Sequence, residues 1–151
     1  MDRDHYDPGV IIVDFDGCIS ICNWRESTLP ANSRNKTYDQ FHDLLYMDPP
    51  NIWMIDMMYR MKNFGYKVII LTGRPEAQRD ISHLWLDKYG VLYDWMEMRG
   101  NNDFRSSETY KMTYIKKYYK DEIKMIFDDL PRVIDHLKSD GYPTFLVRAK
   151  V

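Results

Sequence analysis

The run Val10-Ile11-Ile12-Val13-Asp14-Phe15-Asp16-Gly17 constrains this chain more than any other segment. Its apolar, β-branched residues predict a buried strand. Two acids follow at i and i+2, then a glycine. Strand side chains alternate faces, so a strand continuing through them would place Asp14 and Asp16 on one side. Like charges at the end of a buried strand are costly unless a cation lies between them. The pattern therefore suits a site that holds magnesium and handles phosphate.

Further segments repeat the arrangement. Lys67-Val68-Ile69-Ile70-Leu71 ends in Thr72-Gly73-Arg74, and Ile123-Lys124-Met125-Ile126-Phe127 ends in Asp128-Asp129. Lys111 opens a helix between them. In an open parallel sheet, ligands bind at the carboxyl ends of strands where the strand order reverses. A lone Asp-x-Asp is usually a solvated turn or a cap. These pieces together, in this order, are not explained that way.

Asp14-Phe15-Asp16-Gly17, Thr72, Lys111 and Asp128-Asp129 resemble the four motifs of the haloacid dehalogenase (HAD) superfamily of phosphatases. The resemblance spans residues 14 to 129 and implies a Rossmann-like three-layer fold. Its sheet would be parallel and five-stranded, in the order 3-2-1-4-5, with no large cap domain. Within that superfamily the second acid, Asp16, favours phosphomonoesterase chemistry. Cys18 departs from the threonine often found there, a mainly structural position. Arg25, Arg74 and the stretch Asp103-Phe104-Arg105 make the chain similar to the 3′-phosphatase domain of bacteriophage-type polynucleotide kinase/phosphatases. Those enzymes also carry a kinase domain with a GxxxxGK[ST] loop. No such loop occurs here, so the chain corresponds at most to the phosphatase half, and a kinase partner would be a separate chain.

The resemblance implies roles for residues. Asp14 is the expected nucleophile and Asp16 the general acid and base. Asp14, the backbone carbonyl of Asp16, and Asp128 are the expected magnesium ligands, with Asp129 acting directly or through water. Thr72 and Lys111 would hold phosphoryl oxygens. Arg25, Gly73, Arg74 and Arg105 would bind the rest of the substrate, the arginines by forked hydrogen bonds. For each arginine, an ordinary ion pair is the competing explanation.

A length of 151 residues, with 44% hydrophobic and 29% charged content, fits a single globular domain over 1–151. No run is long enough to span a membrane, and the polar start Met1-Asp2-Arg3-Asp4-His5 does not read as a signal peptide, so a cytoplasmic setting is expected. Cys18 and Cys22 are too few for a zinc site and read as reduced apolar fillers. His5, His42, His83 and His136 show no metal-binding spacing. The net charge of −2 gives no global pull toward nucleic acid, although residues 98–124 carry seven basic against four acidic side chains.

Residues 18–50 hold many breakers and read as a long functional connection, too short for a large cap, leaving an open site. A helix is expected from a cap at Asn51 to Phe64, with Gly65 as its stop. Pro75 should open the next helix, with Ala77, Ile81, Leu84 and Trp85 as its apolar stripe and Gly90 at its end. A strand near 95–98 precedes a polar loop. A helix from Ser106 or Ser107 to Tyr119 should turn Lys111, Tyr114, Ile115 and Tyr118 toward the sheet. Pro131 begins a last helix, and 144–147 forms strand five. Alternating strands and helices imply right-handed crossovers in a parallel sheet.

Three functions remain open on this reading. One is a phosphatase of nucleic-acid ends, mainly 3′-phosphates, acting on nucleotides or polynucleotides. Another is a 5′-nucleotidase or small-metabolite phosphatase, favoured by the near-neutral charge. The last is a non-catalytic binding module, disfavoured because every acid needed for turnover is present.

Overall fold

Val10–Val13 form β1 at the centre of a five-stranded, wholly parallel sheet of order β3-β2-β1-β4-β5. The other strands are β2 (Lys67–Pro75), β3 (Trp95–Arg99), β4 (Ile123–Asp128) and β5 (Thr144–Leu146). The computed structural model describes residues 7–29 and 39–150. Expectations resting on His5, Pro30, Asn32, Ser33 and Asn35 fall outside those residues.

Helices cover both faces of the sheet. On one side, α2 (Ile52–Asn63) and α3 (Arg79–Lys88) bring Met54, Met58, Trp85 and Leu86 onto Ile11, Val13, Val68 and Ile70. On the other, α4 (Ser107–Tyr118) and α5 (Pro131–Ser139) bring Tyr110, Ile115, Val133 and Leu137 onto Val10, Ile12, Ile69 and Leu71. Alternate residues of β1 thus feed two separate cores, which is why its sequence is a continuous apolar run. The remaining helix, α1 (Asp39–Asp43), lies in the connection between β1 and α2, flanked by 3₁₀ turns at Asn23–Thr28 and Leu44–Met47. The chain runs outward from β1 through β2 to β3, then returns to place β4 on the other side of β1. The carboxyl ends of β1 and β4 therefore flank the point where strand order reverses.

Several local expectations differ from the structure. β1 stops at Val13, because the amides of Cys18, Ile19 and Ser20 all donate to the Phe15 carbonyl and turn the chain. Asp14 and Asp16 are thus arranged by a loop, not by strand alternation. Pro75 ends β2 and does not open a helix; a 3₁₀ turn over Glu76–Gln78 intervenes before α3. Asn51 occupies the N-cap of α2, but its side-chain amide donates to the Cys18 carbonyl (2.9 Å) and caps nothing. Leu84 is exposed and Ser82 is buried in its place, since three-residue spacing from Ile81 drifts off the buried face held by Trp85 and Leu86. Tyr118 is likewise exposed at the end of α4, its ring tilted against Tyr114 at 4.8 Å, while Lys111 and Ile115 are buried as expected. Among the described residues, no helix is long and apolar enough to cross a membrane.

Trp85 anchors the α3 side. Its ring lies 5.4 Å from Phe15 and 4.7 Å from Tyr89, and its indole N–H donates to the Asp48 carbonyl at 3.0 Å. Replacing so large a buried side chain leaves a cavity. Trp85→Ala is expected to lose about 3–5 kcal/mol of stability, read as a lower midpoint in urea unfolding.

Candidate active site

Gly17 sets the geometry of the loop after β1. Its φ is +77°, and a Cβ there would lie 2.2 Å from Asp129 Oδ2. Only glycine allows the loop after β1 to approach the loop after β4 this closely. The approach brings carboxylate oxygens of Asp14, Asp128 and Asp129 within 4.8 Å of one another. Lys111 reaches over from the second turn of α4. Its ammonium lies 2.9 Å from Asp14 Oδ1 and donates to Asp128 Oδ2 at 2.5 Å. Asp14, Asp128 and Lys111 are all buried.

Three acids against one lysine leave excess negative charge in a dry place. Burial, then the charge of Asp128, outweighs Lys111 and holds the Asp14 carboxyl well above its usual range. Burial and Asp128 push Asp129 up to about 6, and Asp129 hydrogen-bonds Asp14. Burial would lower the Lys111 ammonium, but Asp128 and then Asp14 more than reverse this and keep it charged. Carboxylates that hold on to protons for want of positive charge are suited to a small, hard cation, and this donor set fits magnesium.

Asp16 belongs to a different environment. Its carboxylate accepts from Arg25 Nη2 (2.5 Å) and from Arg74 Nη1 (3.1 and 3.3 Å). Burial alone would raise it; the charges of Arg74 and Arg25 outweigh that and bring it down to about 2. Asp16 is therefore ionised. Its carboxylate is not part of the cluster formed by Asp14, Asp128 and Asp129.

Arg25 is completely buried in the Asn23–Thr28 turn. Beyond Asp16 it donates to both oxygens of Asp48 (2.8 and 2.6 Å) and to the Phe41 carbonyl (2.6 Å), and it lies 4.0 Å over the Phe41 ring. Arg74, at the end of β2, donates to the His42 carbonyl at 2.7 Å. Both arginines were expected to offer forks to substrate; the structure turns them inward onto Asp16. Arg105 lies on the exposed loop after β3, forked onto Asp103 (2.9 and 2.6 Å). Gly73 accepts at its carbonyl from Arg99 Nε (3.2 Å), and the buried Thr72 hydroxyl accepts from the Arg74 amide (3.1 Å).

Sequence reasoning missed Asp48. It is fully buried, takes the Arg25 fork, and accepts from the Trp24 indole N–H at 2.9 Å. Nothing in Met47-Asp48-Pro49-Pro50 marks it, because its partners are distant in sequence. Cys18 and Cys22 are buried free thiols whose burial pushes them well up, in keeping with a filler role. His83 shares a hydrogen bond with the Tyr93 hydroxyl at 2.9 Å.

The model of the polynucleotide kinase PNKP phosphatase domain family matches residues 8–150. Chains from two solved Pnkp1/Rnl/Hen1 complexes, one described as an RNA repair complex, align at 27% identity with TM-scores of 0.77 and 0.78. Each match covers 99% of this chain but only 45% or 48% of the other. This chain thus spans about half the length of those relatives. A D,D-heptose 1.7-bisphosphate phosphatase from B. bronchiseptica, complexed with magnesium and phosphate, aligns at 15% identity with a TM-score of 0.55, over 91% of this chain and 78% of that one, and shows the shared fold. No curated protein matches the sequence.

Removing Arg25 would strand two buried carboxylates. Arg25→Met is expected to cost about 3–5 kcal/mol in urea unfolding, partly recovered by adding Asp48→Asn. Asp16 contributes a pH dependence of known sign. Its folded pKa of about 2 lies below the ordinary 3.8, so its stabilisation is present above pH 3.8 and lost as pH falls toward 2. Unfolding midpoints of the wild type should therefore fall more steeply than those of Asp16→Asn below pH 3.8.

Proposed function

The chain belongs to the family of polynucleotide kinase PNKP phosphatase domains, within the HAD superfamily, and is a phosphatase; on that premise we propose that it removes 3′-phosphates from polynucleotide ends or nucleotides by way of an aspartyl-phosphate. The observation that carries this reading is the convergence of Asp14, Asp128, Asp129 and Lys111 at the reversal point of the sheet. The single domain spans 1–151.

Asp14 attacks phosphorus, and the bond to the departing 3′-oxygen breaks. Asp16 delivers a proton to that oxygen. Water then attacks the phosphorus while Asp16 takes its proton, releasing phosphate and restoring Asp14. The acid step requires Asp16 to carry a proton, whereas the two guanidiniums hold it ionised before substrate arrives. An incoming phosphate dianion competes for Arg74 and so raises the Asp16 pKa at the moment a proton is needed, while Arg25 stays held by Asp48. Arg74 has donor capacity for this, since its Nε is buried without a hydrogen-bond partner. In this way Arg74 serves substrate and Asp16 in turn, and Arg25 holds Asp16 in place.

Lys111 stabilises charge on Asp14 and the phosphoryl oxygens, and Thr72 orients one of them from the end of β2, with Gly73 beside it. Asp14, the Asp16 carbonyl, Asp128 and Asp129 would hold magnesium. Bound there, magnesium supplies the positive charge that lets a carboxylate and a phosphate approach. Arg105 reaches substrate only by leaving Asp103, and takes no part in the chemical steps. The repair complexes among its relatives support a nucleic-acid substrate and a repair assembly as partner. The setting proposed for the reaction is the cytoplasm.

Phosphate release is the direct test. With magnesium, release should be fastest from a 3′-phosphorylated oligonucleotide, slower from 3′-mononucleotides, and slight from 5′-phosphorylated substrates. A chelator and Asp14→Asn should each abolish it. Preference for 5′-mononucleotides would move the function to nucleotide metabolism. Equal release by Asp14→Asn would overturn the aspartyl-phosphate route.

A further inference from the structure

A groove of about 640 Å³ runs between the start of α2 and the residues after β5. Its walls are bonded to the two loops that carry the acids. Val147 donates its amide to the Asp128 carbonyl (2.9 Å), and Phe127 directly precedes Asp128. At the other wall, Asn51 donates its amide to the Ile19 carbonyl (2.8 Å) and its side chain to Cys18. The groove therefore opens at the carboxyl edge of the sheet, beside the candidate active site.

The lining has a definite chemistry. Ile52, Trp53, Met57 and Phe127 supply apolar surface, Arg148 and Lys150 supply charge, and no acidic residue takes part. Trp53 is 87% exposed, on a helix whose buried positions are Met54 and Met58. An indole held in water at this point does nothing for the core. Arg148 and Lys150 are exposed, and neither joins an ion pair among the described residues. A flat aromatic face beside uncommitted cations matches one class of ligand well: a polyanion that carries a π-face on every unit.

We propose that this groove binds the single-stranded nucleotides leading up to the terminal phosphate, with Trp53 stacking on a base and Arg148 and Lys150 neutralising backbone phosphates. The proposal rests on the polynucleotide-phosphatase reading and extends it to how a long substrate is told from a short one. The overall charge of −2 is no obstacle, because the groove itself is acid-free.

The test uses a labelled 3′-hydroxyl oligonucleotide, which is bound but not turned over, followed by fluorescence anisotropy across a salt series. Trp53→Ala should weaken binding about tenfold, within the range of a lost base stack. Arg148→Ala with Lys150→Ala should lower the slope of log affinity against log salt by about 1.4, two single-strand phosphates' worth. Hydrolysis of p-nitrophenyl phosphate, too short to reach the groove, should keep its kcat and KM in all variants. Unchanged oligonucleotide binding in the variants, with the wild type still dephosphorylating 3′-ends, would overturn the groove and leave the phosphatase reading intact. Equal losses on p-nitrophenyl phosphate would also overturn it, assigning the residues to the fold. Intact oligonucleotide binding with loss of a repair-complex partner would assign the groove to protein. A wild type that ignores oligonucleotides and prefers 5′-mononucleotides would remove both readings together.

Discussion

The ammonium of Lys111, buried between Asp14 and Asp128, is the contact on which the rest of the structure turns. β1 and β4 are adjacent because their apolar runs share two cores, and that adjacency forces the acids at their ends together. Without positive charge, two desolvated carboxylates at this spacing would oppose the pairing of the strands. Lys111 offsets part of the repulsion but not all, since Asp129 adds a third acid. The remaining deficit of positive charge is what makes the cluster a candidate for a cation and for a phosphate with its own counter-charge.

Three acids of the site are thus driven apart in character. Asp14 and Asp129 sit high because burial and like charge penalise their ionised forms. Asp16 sits low because Arg74 and Arg25 overcome the same burial. Carboxylates of identical chemistry acquire distinct tasks through their surroundings alone. Asp48 contributes indirectly: it fixes the Arg25 guanidinium, which in turn fixes Asp16. A buried ion-pair chain of this kind gains little stability relative to an apolar core, and its value lies in holding one geometry.

Two linked layers of the chain follow from this. The sheet supplies rigid strand ends, and the segment between β1 and α2 supplies Arg25, the Phe41 and His42 carbonyls, and Asp48. That segment packs around Asp16 as a brace, with Arg25 donating to its carboxylate. The carboxyl edge of the sheet stays approachable from the side of α2, where Trp53 stands in solvent. Such an arrangement accommodates a substrate much larger than the phosphate it loses.

Much of this was legible in residue order. The apolar runs of β1, β2 and β4 depend on local periodicity and could be read directly, while the sheet order and the Asp14–Lys111–Asp128–Asp129 cluster were implied by the resemblance that the residues following those runs carry. Helix boundaries at Pro75 and the stripe at Leu84 were misjudged because tertiary packing overrides local preference there. The direction taken by Arg25 and Arg74, the existence of Asp48 as their anchor, and the groove beside Trp53 were invisible. The arginines and Asp48 depend on side chains tens of residues apart meeting in a low-dielectric interior, where the cost of an unpaired charge chooses the partner, and the groove depends on how α2 and the residues after β5 come together. The sequence by itself determined which acids and cations the chain carries; the tertiary structure alone decided which acids are pushed up and which down, because pairing energies exist only once burial has removed the water.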